Sequence, residues 1–483
     1  MDYDVIIVGS GAGGSATAYR LAQSGLRTLL IERGPVLPTD GSTLDVGNVI
    51  RQGRFKDREI WLDRTGRKFQ PSEYANLGGK TKWYGAALLR QAPHEFEADE
   101  THQCLAWPIA YDELSPFYDE AESLLKLKRF QAEPDLEKIV AALQHRDPHW
   151  RREPLPVGLS EEILKSPHEA HHFDGFANPH GLKSDAEFSL LRQVADRPNL
   201  EILTGVAVEA LVGAAGAPEE VEGVRCAGGK TYRARRVVLS AGALHSPRLL
   251  QSYMEETGLD GRLPSYTNIG RNYKCHLNSA LIVFSPSVVT DALRKTTILF
   301  HQDFPHSSVQ NLGWLDGELI ALELPSFAPH VVSDIAGRRA YGFWITTEDG
   351  SHPDNCVRRA NGNGLAEIDY DTDRLTPAIC EHTKLIHTLQ AQLLHTLHLG
   401  FVKRMPVDNT AHACGTLIAG DDPASSVVDR NGKVHGLANL HVADGSVMSR
   451  SGRVNPAFTI YAWGLRLGGY LQAELARQEA GRA

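Results

Sequence analysis

The sequence predicts an α/β protein in which one domain is assembled from separated stretches of chain. A second domain is predicted to carry an antiparallel sheet backed by helices. Short apolar runs at residues 5–8, 28–31 and 237–241 are typical of strands buried on both faces of a parallel sheet. Between about positions 280 and 400, β-type residues instead run or alternate in the manner of antiparallel strands. A chain of 483 residues is also long enough for two large domains.

The first apolar run leads into a glycine motif, GSGAGG at positions 9–14, which fits the pattern G-x-G-x-x-G and precedes a helical pattern. In a Rossmann-type unit Gly9 permits the tight turn, Gly11 lets a pyrophosphate approach the backbone, and Gly14 lets helix and strand pack closely. The helix N-terminus offers N–H groups to phosphates, and Glu32 at the end of the next run can accept ribose hydroxyls. The unit therefore predicts a bound dinucleotide, FAD or NAD rather than NADP.

Composition excludes several other classes of protein. Hydrophobic residues make up 42% and charged residues 23%, and the net charge is −9 without a basic block. Binding of nucleic acid or of an anionic membrane is therefore not expected. No apolar run reaches the ~18 residues of a membrane span, and acidic residues before the first apolar run argue against a signal peptide. Six scattered cysteines without a metal-ligand spacing predict reduced thiols, a cytoplasmic protein and no metal site.

The candidate catalytic residues are His412 and Asn455, which flank a strand-like run at residues 440–444. Histidine suits proton transfer near neutral pH because its unperturbed pKa is about 6.5. Asparagine can hold an alcohol oxygen without competing for its proton. Taken singly, each has an ordinary structural interpretation, a satisfied histidine and a turn before Pro456. The pair gains significance from the nucleotide motif at the other end of the chain.

Several motifs, in order and nearly end to end, resemble the glucose-methanol-choline (GMC) oxidoreductases. Besides the N-terminal glycines they lie at residues 76–85, 107–114, 239–250, 268–272, 415–416, 421–423, 426–429, 442–446 and 455–456. The chain is most similar to the bacterial sugar-type members and the pyranose oxidases, which share the ending with histidine and Asn-Pro.

The resemblance implies FAD as the cofactor. It places residues 78–85 along the isoalloxazine ring, the turn at Asn455 near the pyrimidine end, Asp444 beside the ribityl-pyrophosphate portion, and the backbone of Val208 against adenine. The residues expected to bind the cofactor are Gly9, Gly11, Gly13, Gly14, Glu32, Arg33, Gly78, Gly79, Thr81, Tyr84, Gly85, Val208, Ala241, Asp444, Gly445, Asn455 and Pro456.

One position departs from the resemblance. Where pyranose oxidases carry a histidine covalently bonded to the flavin, this chain has Lys82. FAD is therefore expected to be held non-covalently. Lys82 is expected either to face solvent, the commoner fate of a lysine, or to lie near the flavin.

The expected FAD-binding domain comprises residues 1–110, 175–278 and 405–483, and the substrate domain residues 111–174 and 279–404. Residues 111–127 and 385–399 predict helices, residues 279–284, 319–324 and 340–346 predict strands, and residues 133–172 predict an irregular lid or interface excursion. One or two aromatic residues of the second domain are expected to contact a sugar ring; the candidates are Phe300, Trp314, Phe327, Tyr341, Phe343 and Trp344.

The expected reaction is oxidation of an alcohol group on a sugar, glycoside, aminosugar or polyol to a carbonyl, with hydride transfer to flavin N5. His412 would take the hydroxyl proton while Asn455 holds the oxygen, and His276 is expected only to pack between domains. The electron acceptor would be O2 or a quinone-like molecule. Two alternatives are a non-redox flavoprotein, a lyase or binding scaffold, and an NAD-dependent dehydrogenase. The alternative of an NAD-dependent dehydrogenase assigns no function to residues 78–85 or to the His412/Asn455 pair.

Overall fold

A computed structural model describes residues 2–323, 329–360, 364–395, 399–406 and 408–481. Its strands are β1 (Tyr3–Val8), β2 (Thr28–Glu32), β3 (Trp61–Asp63), β4 (Lys68–Phe69), β5 (Lys128–Arg129), β6 (Trp150–Pro154), β7 (Pro156–Val157), β8 (Leu200–Thr204), β9 (Val208–Ala214), β10 (Ala217–Cys226), β11 (Thr231–Leu239), β12 (Leu277–Phe284), β13 (Thr297–His301), β14 (Phe304–Asn311), β15 (Ala340–Thr347), β16 (Cys356–Arg358), β17 (Glu367–Asp369), β18 (Leu399–Arg404) and β19 (Leu440–Val442). Its helices are α1 (Ala12–Ala22), α2 (Tyr111–Leu124), α3 (Pro134–Arg146), α4 (Pro167–His171), α5 (Arg192–Val194), α6 (Ser246–Thr257), α7 (Gly317–Ala321), α8 (His330–Gly337), α9 (Thr376–Leu393) and α10 (Ala457–Ala480).

The first sheet has the parallel core that the apolar runs predict. Strands β8, β2, β1 and β11 pair in parallel in that order. The second half of β11 pairs in parallel with β19, whereas its first half pairs antiparallel with β10. Both faces of β1 are covered, so Val5, Ile6 and Ile7 are all buried. Helices α1 and α10 pack on one another beside this sheet, which is the Rossmann-type arrangement expected for the FAD domain.

The second large sheet is antiparallel, in the order β18, β12, β15, β14, β13, β6. Helices α3 and α9 lie on it, with Leu136 and Leu389 in the same hydrophobic core as Leu281 and Phe343. The prediction of a substrate domain with an antiparallel sheet backed by helices is confirmed. The residue boundaries proposed for the two domains stay a prediction.

Three local predictions are wrong in part. Residues 133–172 are not an irregular excursion: they contain α3, whose Leu136, Ile139, Val140 and Leu143 are buried, and β6, which pairs with β13 at the edge of the sheet. The sequence around those four residues is rich in charged residues, proline and histidine, and this composition masked their helical spacing.

Residues 319–321 belong to helix α7 rather than a strand, because the Asp316 carboxylate accepts a hydrogen bond from the Leu319 amide and caps the helix. The predicted helix at 385–399 begins earlier, at Thr376, and ends at Leu393. Positions 324, 327 and 396–398 lie outside the described residues.

Across the part of the chain that the structure describes, none of the helices combines the length and apolar character needed to cross a bilayer.

Candidate active site

A cavity of about 1040 Å³ lies where the carboxyl ends of β1, β2 and β11 face the antiparallel sheet. Most residues predicted from the sequence line it: Gly9, Gly11, Gly13, Glu32, Arg33, Gly79, Thr81, Tyr84, Gly85, Val208, Ala241, His412, Asp444, Gly445, Asn455 and Pro456. Gly14 and Gly78 lie behind this wall. Gly14 packs against the carbonyl of Gly9, and the Gly78 amide donates to Ser10 Oγ at 3.0 Å. The structure thus brings the N-terminal and C-terminal motifs together around one space.

The start of α1 has room for a phosphate. A Cβ built on Gly11 meets no atom within 4 Å, and no side chain caps the helix. The first amide groups of the helix are therefore free to donate to an anion, and the helix dipole favours negative charge there. Gly13 has a different function, because a Cβ at that position would lie 1.6 Å from the carbonyl oxygen of Ala443. These glycines fit the pyrophosphate of a dinucleotide such as FAD.

The carboxylate of Glu32 is fixed by three protein donors. Its Oε2 accepts from the amide and hydroxyl of Ser10 at 3.0 and 2.6 Å, and its Oε1 accepts from the Gly34 amide at 2.9 Å. A carboxylate has about four acceptor positions. Glu32 therefore keeps the capacity to accept a ribose hydroxyl while its orientation is fixed in advance.

Asp444 joins two loops at the cavity wall. Its Oδ2 accepts from the Gly242 amide at 2.9 Å and from Ser246 Oγ at 2.5 Å, and its Oδ1 accepts from the Ser446 amide at 2.9 Å. Burial raises the pKa of Asp444 in spite of these donors. The loop after β11 and the turn after β19 are thus held together at the point where the resemblance places the cofactor's ribityl-pyrophosphate portion.

Val208, Arg33 and His245 also line the cavity. The Arg33 guanidinium pairs with Asp57 and lies 3.1 Å from His245 Nε2. Burial, and then the charges of Arg33 and Arg248, lower the pKa of His245 well below 6.5. Nothing in the sequence around His245 indicates that this residue lines the cavity.

Lys82 neither faces solvent nor lines the cavity. It is buried, with its Nζ 3.1 Å from Asp185 Oδ2 and 2.7 Å from Glu187 Oε2. The expectation that Lys82 faces solvent is therefore wrong, whereas a position near the flavin stays a prediction. Its partners lie far away in the sequence, so no local pattern could reveal the ion pairs.

His412 and Asn455 meet at the wall of the cavity. Asn455 Nδ2 lies 3.3 Å from His412 Nε2, and Gln310 Nε2 donates to Asn455 Oδ1 at 2.5 Å. Burial lowers the pKa of His412 well below 6.5, and the positive charges of Lys80 and Lys295 add to the effect. The imidazole is therefore neutral at pH 7 and able to take a proton.

Two ion pairs lie near His412, and one of the aromatic candidates lines the same cavity. Lys80 Nζ lies 2.5 Å from Glu73 Oε1, and Lys295 Nζ lies 2.8 Å from Asp174 Oδ2. Of the six aromatic candidates, Trp344 lines the cavity. Tyr341 and Phe343 are buried in the sheet core, Phe300 is also buried, Trp314 stacks on His171, and Phe327 lies outside the described residues.

His276 was expected only to pack between domains, but its Nδ1 lies 2.9 Å from Nδ1 of His412. The sequence offers no signal for this contact, because the two histidines lie on segments that are far apart in the chain and are joined in the fold by the bridge between Lys274 and Cys414.

Among the described residues, four groups of side chains are close enough to share a metal ion. They are His102/His306/Glu381, Cys104/His306/Glu348, Asp147/His149/His301 and Asp57/Glu59/His245. Members of these groups already pair with one another or with neighbours, as His306 does with Asp99 and Glu348. The expectation of no metal site stays a prediction.

Comparison with known proteins adds independent evidence. Residues 373–464 match the GMC oxidoreductase family and residues 4–266 match the FAD dependent oxidoreductase family. The chain is 29% identical to 6'''-hydroxyparomomycin C oxidase of Streptomyces lividus, over 99% of this chain and 93% of that protein. It is 30% identical to paromamine 6'-oxidase of Streptomyces fradiae, over 96% of this chain and 90% of that protein. The crystal structure of pyridoxine 4-oxidase from Mesorbium loti has the same fold, with a TM-score of 0.63, 21% identity, and coverage of 97% of this chain and 99% of that one.

These matches agree with the geometry of the cavity. The phosphate space at Gly11, the fixed carboxylates of Glu32 and Asp444, and the His412/Asn455 pair all lie around it. The NAD-dependent alternative is wrong, because the family matches identify FAD as the cofactor. The chain belongs to the GMC oxidoreductase family and is an FAD-dependent enzyme that acts on CH–OH donors.

Proposed function

We propose that this protein oxidises a hydroxyl group on an aminosugar or aminoglycoside to a carbonyl, with His412 as the base and Asn455 holding the substrate oxygen. The observation that carries the proposal is the 3.3 Å contact between His412 Nε2 and Asn455 Nδ2 at the wall of the cavity. The aminosugar class is supported by the two relatives named for paromomycin-type and paromamine substrates, which align with nearly the whole chain.

The paired side chains supply complementary functions for this reaction. When the substrate binds, its hydroxyl group replaces the direct contact between the two side chains: Asn455 Nδ2 donates to the hydroxyl oxygen, and the hydroxyl proton points to the lone pair on His412 Nε2. When bound, FAD supplies the two-electron acceptor, N5, for the hydride that leaves the substrate carbon. His412 takes the hydroxyl proton as the C=O bond forms, so a hydride and a proton together leave the alcohol. Because His412 is neutral at pH 7, it needs no prior deprotonation.

The first test is anaerobic reduction of the bound flavin by a panel of aminoglycosides, neutral sugars, polyols and simple alcohols. Bleaching of the flavin absorbance by aminoglycosides in preference to neutral sugars is expected. Reduction only by simple alcohols would contradict the substrate class. If dithionite bleaches the flavin and no alcohol does, the non-redox alternative replaces the oxidation. Admission of air then separates an oxidase, which recovers its colour quickly, from a dehydrogenase.

The second test removes the base. His412→Ala should keep the yellow FAD complex but lose a factor of about 10²–10⁴ in the rate of flavin reduction. His441→Ala is the matched control, because His441 is also buried but does not line the cavity. Equal rates in His412→Ala and the wild type would contradict the assignment.

A further inference from the structure

We propose that His276 is a positioning residue that fixes the tautomer of His412, so that the unprotonated nitrogen of His412 is the one facing the substrate. The catalytic consequence rests on the function proposed above. The tautomer itself can be measured whether or not that function is correct.

The hydrogen bonds of His276 determine where its proton lies. Its Nε2 is 2.8 Å from the carbonyl oxygen of Gly452. A carbonyl oxygen only accepts, so Nε2 of His276 must carry a proton. In the neutral ring Nδ1 of His276 is then an acceptor. Its neighbour at 2.9 Å, Nδ1 of His412, must therefore be the donor. A neutral His412 protonated on Nδ1 has its lone pair on Nε2.

The contacts on the other side of His412 lead independently to the same tautomer. Gln310 Nε2 donates to Asn455 Oδ1 at 2.5 Å, which orients the Asn455 amide. The Asn455 Nδ2 group then lies 3.3 Å from His412 Nε2 and is a donor. Two chains of hydrogen bonds, one from Gly452 and one from Gln310, thus meet at His412 and both require an unprotonated Nε2.

The Gly452 carbonyl is itself firmly held. The Gly452 amide donates to Glu348 Oε1 at 2.9 Å, and the same carboxylate accepts from Arg450 at 3.0 and 2.6 Å. Gly452 has φ of +72°, and a Cβ there would lie 2.6 Å from Gln91 Nε2. No other residue type fits this position without strain. The oxygen that fixes the proton on Nε2 of His276 is therefore a backbone atom whose position is set by the fold.

His276 also has φ of +63°, a left-handed conformation that is uncommon for a residue other than glycine. Such conformations carry a cost and persist where the surrounding structure demands them. At position 276 the conformation allows one imidazole to contact both Gly452 and His412. A histidine needed only for packing would not require both contacts.

The arrangement has a consequence when His412 takes the substrate proton. Protonated His412 still donates through Nδ1 to the lone pair on His276 Nδ1, so the new positive charge is stabilised by a neutral acceptor. Lys80 and Lys295 oppose that charge, while Glu73 and Asp174 pair with these lysines. The substrate proton then lies on Nε2 of His412, while the proton on its Nδ1 stays in the hydrogen bond to His276.

The direct test is a neutron crystal structure of the deuterated FAD complex near pH 8. Deuterium is expected on Nδ1 of His412 and on Nε2 of His276, with none on Nε2 of His412. Deuterium on Nε2 of His412 in place of Nδ1 would overturn the inference. If the expected pattern is found but no alcohol reduces the flavin, the proposed function fails while the tautomer assignment stands.

A kinetic test uses two variants at one position. His276→Leu removes the acceptor and should slow flavin reduction roughly tenfold to a hundredfold with little change in KM. His276→Asn places an amide oxygen near the former Nδ1 and should restore most of the rate. His441→Leu, the same change at a buried histidine away from the cavity, should leave the rate unchanged. Wild-type reduction by His276→Leu would overturn the inference. If that variant loses FAD, the neutron structure decides.

Discussion

Lys82 Nζ lies 2.7 Å from the carboxylate of Glu187 and 3.1 Å from that of Asp185, buried within the protein. One cation is therefore held by two acids at the position where the resemblance places the covalently bonded histidine of pyranose oxidases. This ammonium group is fully occupied by its neighbours. It helps to anchor the loop that follows Gly78 and Gly79 to the segment around Asp185.

FAD should accordingly be released by acid. After precipitation of the purified protein with trichloroacetic acid, all of the yellow colour should appear in the supernatant. The physical reason is that the residue at the linkage position is an ion-paired lysine in place of the bonded histidine. Colour remaining in a washed pellet would contradict non-covalent binding.

Lys82→Met should destabilise the protein strongly. The change leaves the carboxylate of Asp185 buried without its cation and leaves Glu187 with Arg192 alone, a loss of about 3–5 kcal/mol for a broken buried pair. Thermal unfolding of the FAD complex measures the effect. Lys165→Met is the matched control, since Lys165 is exposed and pairs only with Glu162 at the surface. Similar melting temperatures for both variants would show that the buried pairs contribute little.

The pH dependence of flavin reduction should report the low pKa of His412. Burial and the charges of Lys80 and Lys295 disfavour the imidazolium, so the base stays unprotonated as pH falls past 6.5. The acid limb of kcat/KM is therefore expected below pH 6.5. Lys295→Met removes one positive charge and leaves Asp174 unpaired, and both changes favour the imidazolium. The acid limb should then move to higher pH, and an unchanged limb would contradict this account.

Two glycines of the N-terminal motif should fail in different ways when changed to alanine. A Cβ at position 11 has free space, so Gly11→Ala should leave the stability of the apoprotein nearly unchanged while weakening FAD binding at least tenfold. Gly13→Ala forces a Cβ against the Ala443 carbonyl and should destabilise the apoprotein itself by about 1–3 kcal/mol. Apoprotein melting and FAD titration separate the two effects. Equal FAD affinity in Gly11→Ala and the wild type would contradict the phosphate site.

Stability should fall in mildly acidic solution because of buried neutral histidines. Burial lowers the pKa of His441 and of His382 to about 3. Below pH 6.5 the unfolded chain binds a proton at each, whereas the folded protein does not until about pH 3. Each histidine thus removes about 1.4 kcal/mol of unfolding free energy per pH unit in this range. His441→Leu should flatten the pH dependence between 6 and 4. An unaltered slope would show that His441 does not contribute.

The sequence was sufficient for features encoded by neighbours along the chain. Buried strands appear as apolar runs, and the phosphate site appears as a glycine pattern next to one of them, so the fold and Gly11 could be predicted. His412 and Asn455 could be identified because each lies in a short motif that adjacent residues in the sequence make recognisable.

Features that depend on distant partners were not accessible in this way. The ion pairs of Lys82 and the hydrogen bond between His276 and His412 form only after remote segments meet. In α7, one capping carboxylate at Asp316 outweighed a short β-type pattern. In a segment as short as α7, the secondary-structure propensity of the residues does not determine whether a helix or a strand forms.

Strand β19 has a consequence for how the protein reaches its folded state. Its residues Leu440 to Val442 enter the sheet beside β11, and α10 behind them packs on α1 near the other end of the chain. The dinucleotide unit begun by the first strand therefore has a missing neighbour until almost the whole polypeptide has been synthesised. Formation of the cofactor site is consequently a late event in biosynthesis, and a chain truncated before residue 440 would expose the edge of β11 and the apolar face of α1 to other chains.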